Sequence, residues 1–282
     1  MRIRTFLLSL LLLPLAALAQ QVQYSRADST QVVSLLRQAS AMKPSTNWMI
    51  YFARSLRDVP YVAKTLEVNK QEKLIVNLRQ LDCTTYVETV LALSECARRR
   101  QTSFASYTAM LKKIRYKGGS VRYASRNHYF SQWILSNTAN GLVMEISTPR
   151  KLFSSTQKLL CNYMTLHPQY YPMMGSEKGA KANIAEMEKE LTGQKVNYIP
   201  KTSLGKTQLL RQTVKDGDIL AIVTNKQGLD TSHIGIAVWH KDGLHLLNAS
   251  QIRKRVVEEP MTLKKYMSQH PTQTGIRVVR VR

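Results

Sequence analysis

The chain has 282 residues, with 41 Lys and Arg against 18 Asp and Glu, giving a formal net charge of +23 at pH 7. That length suits one large domain or two small ones with a sizeable core, and past the N-terminus no stretch is apolar enough to cross a membrane. The basic residues are scattered in short runs such as Arg98-Arg99-Arg100 and Lys112-Lys113. They suit anionic partners or plain solvation, not a nucleic-acid stripe.

Arg2 and Arg4 precede an apolar run from Phe6 to Leu13, and Ala17-Leu18-Ala19 supplies a small-residue cleavage pattern. Residues 1–19 therefore read as a signal peptide, with 20–282 as the exported, periplasmic or secreted chain and no transmembrane segment in its mature part. Val32, Val33, Leu35, Leu36 and Ala39 predict a helix over about 28–41. A second helix starts at Pro44-Ser45-Thr46 and ends before Pro60. The run "KLIVN" reads as extended chain, and a third helix follows over 83–98, with Asp82 as its N-cap. Further helices are expected over 103–116 and 180–191 and, less regularly, 127–136; residues 172–179 read as a loop.

The last third changes character. "DGDILAIVT" from Asp216, "HIGIAVW" from His233, "LHLLNAS" from Leu244 and "GIRVVRVR" from Gly275 read as strands. Helices followed by antiparallel strands argue an α+β fold, a helical lobe packed on a sheet.

The chain has three cysteines, an odd number, so at least one thiol stays unpaired. Cys83 falls at the start of a helix, where free amides and the helix dipole favour a thiolate. Cys96 sits mid-helix among apolar neighbours and reads as core, or as a disulfide partner of Cys161. A nucleophilic thiol needs an imidazole carried in from elsewhere in the chain, and His233, opening a strand, is the candidate base. Its tautomer needs a polar acceptor, and Asn248, one strand later, can lie beside it. His245 competes on that strand but, three residues away, points to the opposite face. Arg126, His128 and Tyr129 form a basic and aromatic cluster of the kind sugars and carboxylates require, and Asp230 and Ser232 flank the base. No paired-cysteine zinc spacing is present, and thiol acyl transfer needs neither metal nor cofactor.

Four strings occur in order: "PYVAKTLE" from Pro60, "LDCTTYVETVLAL" from Leu81, "DGDILAI" from Asp216 and "LDTSHIGIAV" from Leu229. Together they resemble the NlpC-like cysteine amidases, and with "RNHYFSQW" from Arg126 they resemble the N-acetylmuramoyl-L-alanine amidase-like branch, from about Trp48 to the C-terminus. The resemblance implies a papain-like domain with extra helices, with Cys83 as nucleophile, His233 as base and no cofactor. The third position, often histidine in a "HAS" string, is here Asn248, which can still accept from the imidazole. Tyr61 matches a tyrosine near the active site, able to support the tetrahedral intermediate together with the Cys83 backbone amide. The substrate implied is peptidoglycan fragments (muropeptides), cut between the muramic acid lactyl group and L-Ala. The alternatives are a D-γ-glutamyl–diamino-acid endopeptidase, or a non-catalytic peptidoglycan-binding protein on the same fold.

Overall fold

The structure, a computed structural model, describes residues 22–205 and 207–282. The leader expected over residues 1–19 lies outside the described residues. Four helices open the fold: α1 (Arg26–Ser40), α2 (Trp48–Ser55), α3 (Cys83–Arg98) and α4 (Phe104–Arg115). A two-residue parallel pair, β1 (Val22–Gln23) with β2 (Leu74–Ile75), ties the start of the described chain to the "KLIVN" segment. No described helix is long and apolar enough to cross a membrane.

After α5 (Phe130–Ala139) the chain supplies β3 (Val143–Ile146) and β4 (Ser155–Lys158). Three short helical elements follow: α6 (Tyr163–Leu166), α7 (Pro172–Ser176) and α8 (Ala180–Leu191). The rest is β5 (Lys195–Pro200), α9 (Thr207–Thr213), β6 (Ile219–Thr224), β7 (Thr231–Trp239), β8 (Leu244–Ser250), β9 (Arg255–Glu258), α10 (Leu263–Ser268) and β10 (Gln273–Val281). Eight strands form one antiparallel sheet in the order β4-β5-β10-β6-β7-β8-β9, with β3 also paired to β10. Part of 172–179, expected as a loop, is helical as α7, because Pro172 occupies the first helical turn, where it loses no bond. Strands β3, β4, β5 and β9 were not expected. They are four to six residues long and mostly half-exposed, so they lack an apolar alternation to betray them.

The sheet separates two apolar layers. Ile234, Ile236 and Val238 of β7 with Leu247 and Ala249 of β8 face the helical lobe. Ala237, Leu244 and Leu246 face the opposite side, against Leu210, Leu263 and Met267. A third cluster, rich in methionine, packs α6, α7 and α8 around Tyr123 and Tyr129. All three cysteines are free: Cys96 lies in the first core and Cys161 in the third, so no bridge joins them.

Helix α3 runs through the middle of the lobe and is buried on every side from Thr85 to Cys96. A helix buried all round must settle its polar groups internally. Tyr86 donates to the Ala53 carbonyl at 3.1 Å, and Ser94 to that of Val90 at 2.7 Å. Glu88 receives Arg115 of α4 at 2.6 Å, both side chains 2% exposed, and Arg115 also donates to the Ile75 carbonyl at 2.7 Å. This buried pair locks α3 to α4 and β2 and so fixes where α3 begins. Arg115→Met leaves Glu88 without its counter-charge and is expected to cost ~3–5 kcal/mol of stability, measured by urea denaturation of the purified chain.

Candidate active site

The first turn of α3 is built to hold Cys83 in one place. The Asp82 carboxylate accepts the Thr85 amide at 2.8 Å, and the Thr85 hydroxyl accepts the Asp82 amide at 2.9 Å, a reciprocal cap. Cys83 is thus the first helical residue, with the helix amides converging on it. The Ile234 backbone N–H and the hydroxyl and amide of Thr84 lie where they favour the ionised form of its sulfur.

His233 is the third residue of β7, just after an irregularity in its pairing with β6: Ile222 faces His233, but Val223 faces Thr231. The extra residue, Ser232, bulges the strand and re-aims the side chains beside it. The His233 Nε2 lies 2.8 Å from Asn248 Oδ1 on β8. Asn248 is fully buried, and its Nδ2 faces only acceptors: the Leu246 and Val257 carbonyls and Glu259 Oε1, at 3.4–3.5 Å. Its amide oxygen therefore faces the ring, so Nε2 carries the proton and donates a hydrogen bond to Asn248, leaving a lone pair on Nδ1. Gly235 sits between the two on the same face of the sheet. A Cβ there would stand 3.0 Å from Asn248 Cβ and 2.9 Å from the Leu247 carbonyl oxygen.

Cys83 and His233 line one cavity of about 170 Å³ together with Thr84, His128, Tyr129, Phe130, Met164, Tyr171, Leu229, Asp230 and Ser232. Burial pushes the Cys83 thiol up to about 12, and the charge of Asp82 adds to this, against the hydrogen bonds from Ile234 and Thr84. Burial also holds His233 below the ordinary imidazole value, opposed by Asn248 and the charge of Glu259 and assisted by His270. Both shifts favour an uncharged thiol beside an uncharged imidazole, where the helix start alone suggested a standing thiolate.

The other residues singled out in the sequence divide. His128 lines the cavity, donates from Nε2 to the Tyr123 carbonyl at 2.7 Å, and is kept neutral by burial and the charge of Arg126. Tyr129 also lines it, but its hydroxyl is committed: it donates to Glu188 at 2.7 Å and accepts the Tyr163 amide at 2.8 Å. Asp230 accepts the Ser131 amide at 2.6 Å and the Thr231 amide at 2.8 Å, capping α5 from across the chain. Ser232 lines the cavity, its hydroxyl 3.5 Å from the Ile222 carbonyl.

Arg126 is not in this cavity. It is buried between Glu67 and Glu72, lies over the Tyr123 ring, and lines the wall of a second cleft of about 900 Å³. Its charge is already matched within the protein, so it is not the free guanidinium expected of a carboxylate-binding cluster. Tyr61 donates its amide to the Lys254 carbonyl, its neighbours Pro60 and Val62 bond Leu81, and it packs on the lobe core rather than lining the cavity. Burial, then the charges of Cys83 and Asp82, push its hydroxyl up to about 12, so it stays a donor. The sequence reading missed Glu188, which holds Tyr129 and the start of α6, and Glu259, buried behind Asn248. Neither has a local signal, since each is defined by a partner on another element.

The AmiA-like family, described as N-acetylmuramoyl-L-alanine amidase-like, has a model that matches residues 51–276, spanning both Cys83 and the β7–β8 pair. The chain belongs to this family. Among solved structures, an N-acetylmuramoyl-L-alanine amidase from Bacteroides uniformis is 35% identical over 87% of this chain and 99% of that one, with a TM-score of 0.77. A Bacteroides fragilis protein provisionally called a xylanase is 37% identical over 81% of this chain and 99% of that one, with a TM-score of 0.75. A Legionella pneumophila protein at 22% identity and TM-score 0.68 covers 90% of this chain and 94% of that one, and shows the fold alone. No curated protein matches the chain.

Gly235→Ala tests how the imidazole is held. The variant is expected to fold at a cost of ~1–3 kcal/mol and, by displacing Asn248, to slow alkylation of Cys83 by iodoacetamide at pH 7 about tenfold.

Proposed function

We infer that the chain is an exported peptidoglycan hydrolase of papain-like design, cutting the amide between the lactyl group of N-acetylmuramic acid and L-Ala. The observation that carries this is the His233–Asn248 bond of 2.8 Å in the cavity that Cys83 lines, inside a family described as amidase-like. A helix-opening cysteine, a strand histidine and an asparagine that accepts from its far nitrogen are the parts a thiol acyl transfer needs.

In this reading His233 Nδ1 takes the Cys83 proton as the sulfur attacks the lactyl carbonyl. The uncharged starting pair makes the proton transfer part of the attack, and the imidazolium formed is steadied by Asn248 Oδ1 and by the charge of Glu259 behind it. The oxyanion faces the Cys83 backbone amide. Collapse breaks the C–N bond, His233 returns the proton to the L-Ala nitrogen, and the lactyl group stays on sulfur as a thioester. Water, deprotonated by His233, then releases the acid and restores the thiol.

The cavity of about 170 Å³ accommodates the lactyl–alanyl linkage but not a disaccharide. The polar cleft of about 900 Å³ that shares Asn127 with it is where the larger part of the substrate would lie. Endopeptidase action would need a carboxylate presented to the L-Ala amine, and the acid lining the cavity, Asp230, serves as a backbone cap with an amide on each oxygen. Glycosidase chemistry would need two carboxylates flanking one bond, which the lining of this cavity lacks.

Digestion of purified muropeptides should release stem peptide with an intact N-terminal L-Ala, seen by mass. Recovery of a disaccharide-dipeptide points to the endopeptidase instead. Cys83→Ala should lower turnover by at least about a thousandfold while leaving muropeptide binding, and undiminished turnover would end the cysteine mechanism. The base must be neutral to act, and its depressed affinity for protons extends the neutral form to lower pH. The acidic limb of kcat/KM is therefore expected below pH ~6.5, the unperturbed imidazole value, in a pH–rate profile.

A further inference from the structure

The hairpin joining β7 to β8 carries a cluster that the acyl-transfer chemistry does not use. His240, Asp242 and His245 each offer a ligand atom, all within 4.8 Å of one another. His245 is 2% exposed, whereas Asp242 and His240 stand at the surface of the turn, 62% and 38% exposed in their side chains.

The hydrogen bonds of His245 do not balance. Its Nδ1 lies 2.8 Å from the Glu259 backbone oxygen, which can only accept, so Nδ1 carries a hydrogen. Its Nε2 lies 2.9 Å from Asp242 Oδ1, a carboxylate oxygen that also only accepts. A neutral imidazole has one N–H, so this second contact sets a nitrogen lone pair against an oxygen lone pair. Something positive has to stand between them. A second proton would make a buried imidazolium lying flat against the His240 ring, 4.0 Å away between centroids and 14° from parallel.

His240 has the same division of labour. Its Nε2 lies 2.5 Å from Glu258 Oε1 and donates to it, which leaves Nδ1 as a lone pair. Glu258 is itself fixed by Arg54 through two bonds of 3.0 Å. Each histidine thus has one nitrogen anchored to an acceptor, a backbone carbonyl in one case and a carboxylate in the other, and one lone pair to give. That is how outer partners orient metal-binding imidazoles and set their tautomers.

We propose that His240 Nδ1, Asp242 and His245 Nε2 form a binding site for a divalent transition ion of the zinc class. Two imidazoles and one carboxylate suit zinc, with water as fourth ligand, and do not suit magnesium or calcium, which take oxygen ligands. Zinc–ligand bonds of ~2.0–2.2 Å require the donors to draw together. The two groups that must move, Asp242 and the His240 ring leaving its stack, are the exposed ones, while His245 is held by Glu259. The ion is structural in this assignment. It closes the hairpin on itself, next to the Glu258–Glu259 segment that the two rings bond and whose second residue backs Asn248, and takes no part in bond cleavage.

The test uses the full mature chain without a polyhistidine tag, in a Cys83→Ala background so that the active-site thiol cannot bind the metal. After dialysis against chelator, calorimetric titration with zinc chloride at pH 7.5 should show one equivalent bound at micromolar or tighter Kd, and excess zinc should raise Tm by ~5 °C or more. Asp242→Asn and His240→Ala, both at the turn surface and checked for unchanged circular dichroism, should each weaken binding at least tenfold. Absence of saturable zinc binding overturns the proposal. Binding that is undiminished in both variants overturns it too, because the ion then sits elsewhere. Either result leaves the reading of Cys83 and His233 untouched, since no outcome depends on turnover.

Discussion

Everything at the site follows from the N-terminus of α3 meeting β7 end-on. Cys83, the first residue of the helix, lines one cavity with His233 and with Ile234, one residue further along the strand. The strand's place is set by a sheet whose two faces are both buried. The cap formed by Asp82 and Thr85 holds one side of the contact and the bulge at Ser232 turns the other toward it. Neither could drift without disturbing a core: α3 is buried all round, and Ile234 and Ile236 are part of the same apolar layer.

Burial at that junction sets the chemistry as well as the geometry. A helix start lowers the cost of a thiolate, but desolvation and the Asp82 carboxylate raise it further, and the balance here lies with desolvation. The imidazole is under the same pressure in the opposite sense, being held neutral. In the proposed reaction, such a pair of uncharged groups in a small cavity forms its charges only when a substrate carbonyl is there to receive them. Asn248 suits such a pair: it orients the ring without adding a titrating group, and the negative charge of Glu259 acts from behind it.

Charges elsewhere around the site act as scaffolding. Asp230 caps α5, Glu188 gathers Tyr129 with the start of α6, and Arg126 neutralises Glu67 and Glu72 between the cavity and the larger cleft. Each ties loops to helices around the cavity, which explains how a rim made largely of short helices and turns keeps its shape. The net positive charge of the chain thus says little about its substrate, because Arg126, the arginine singled out for it, is already paired within the protein.

The amino-acid sequence by itself determined the helical lobe, the four hydrophobic strands of the sheet, the capped start of α3 at Cys83, and that Asn248 and His245 point to opposite faces of their strand. These are local matters: periodicity, capping and alternation act over a few residues and leave their mark there. Only the tertiary structure decided that Arg126 is paired with two glutamates, that the Tyr129 hydroxyl belongs to Glu188, that Asp230 is a cap, and that His240, Asp242 and His245 converge. Their partners lie on other elements, with Glu188 59 residues from Tyr129 and Asp230 99 residues from Ser131. Even where the residues are close in sequence, as in the hairpin, it is Glu258 and Glu259 from the next strand that orient the rings. The charge state of the thiol belongs to the same class, since desolvation depends on what the whole fold places around a group and has no signature in the residues beside it.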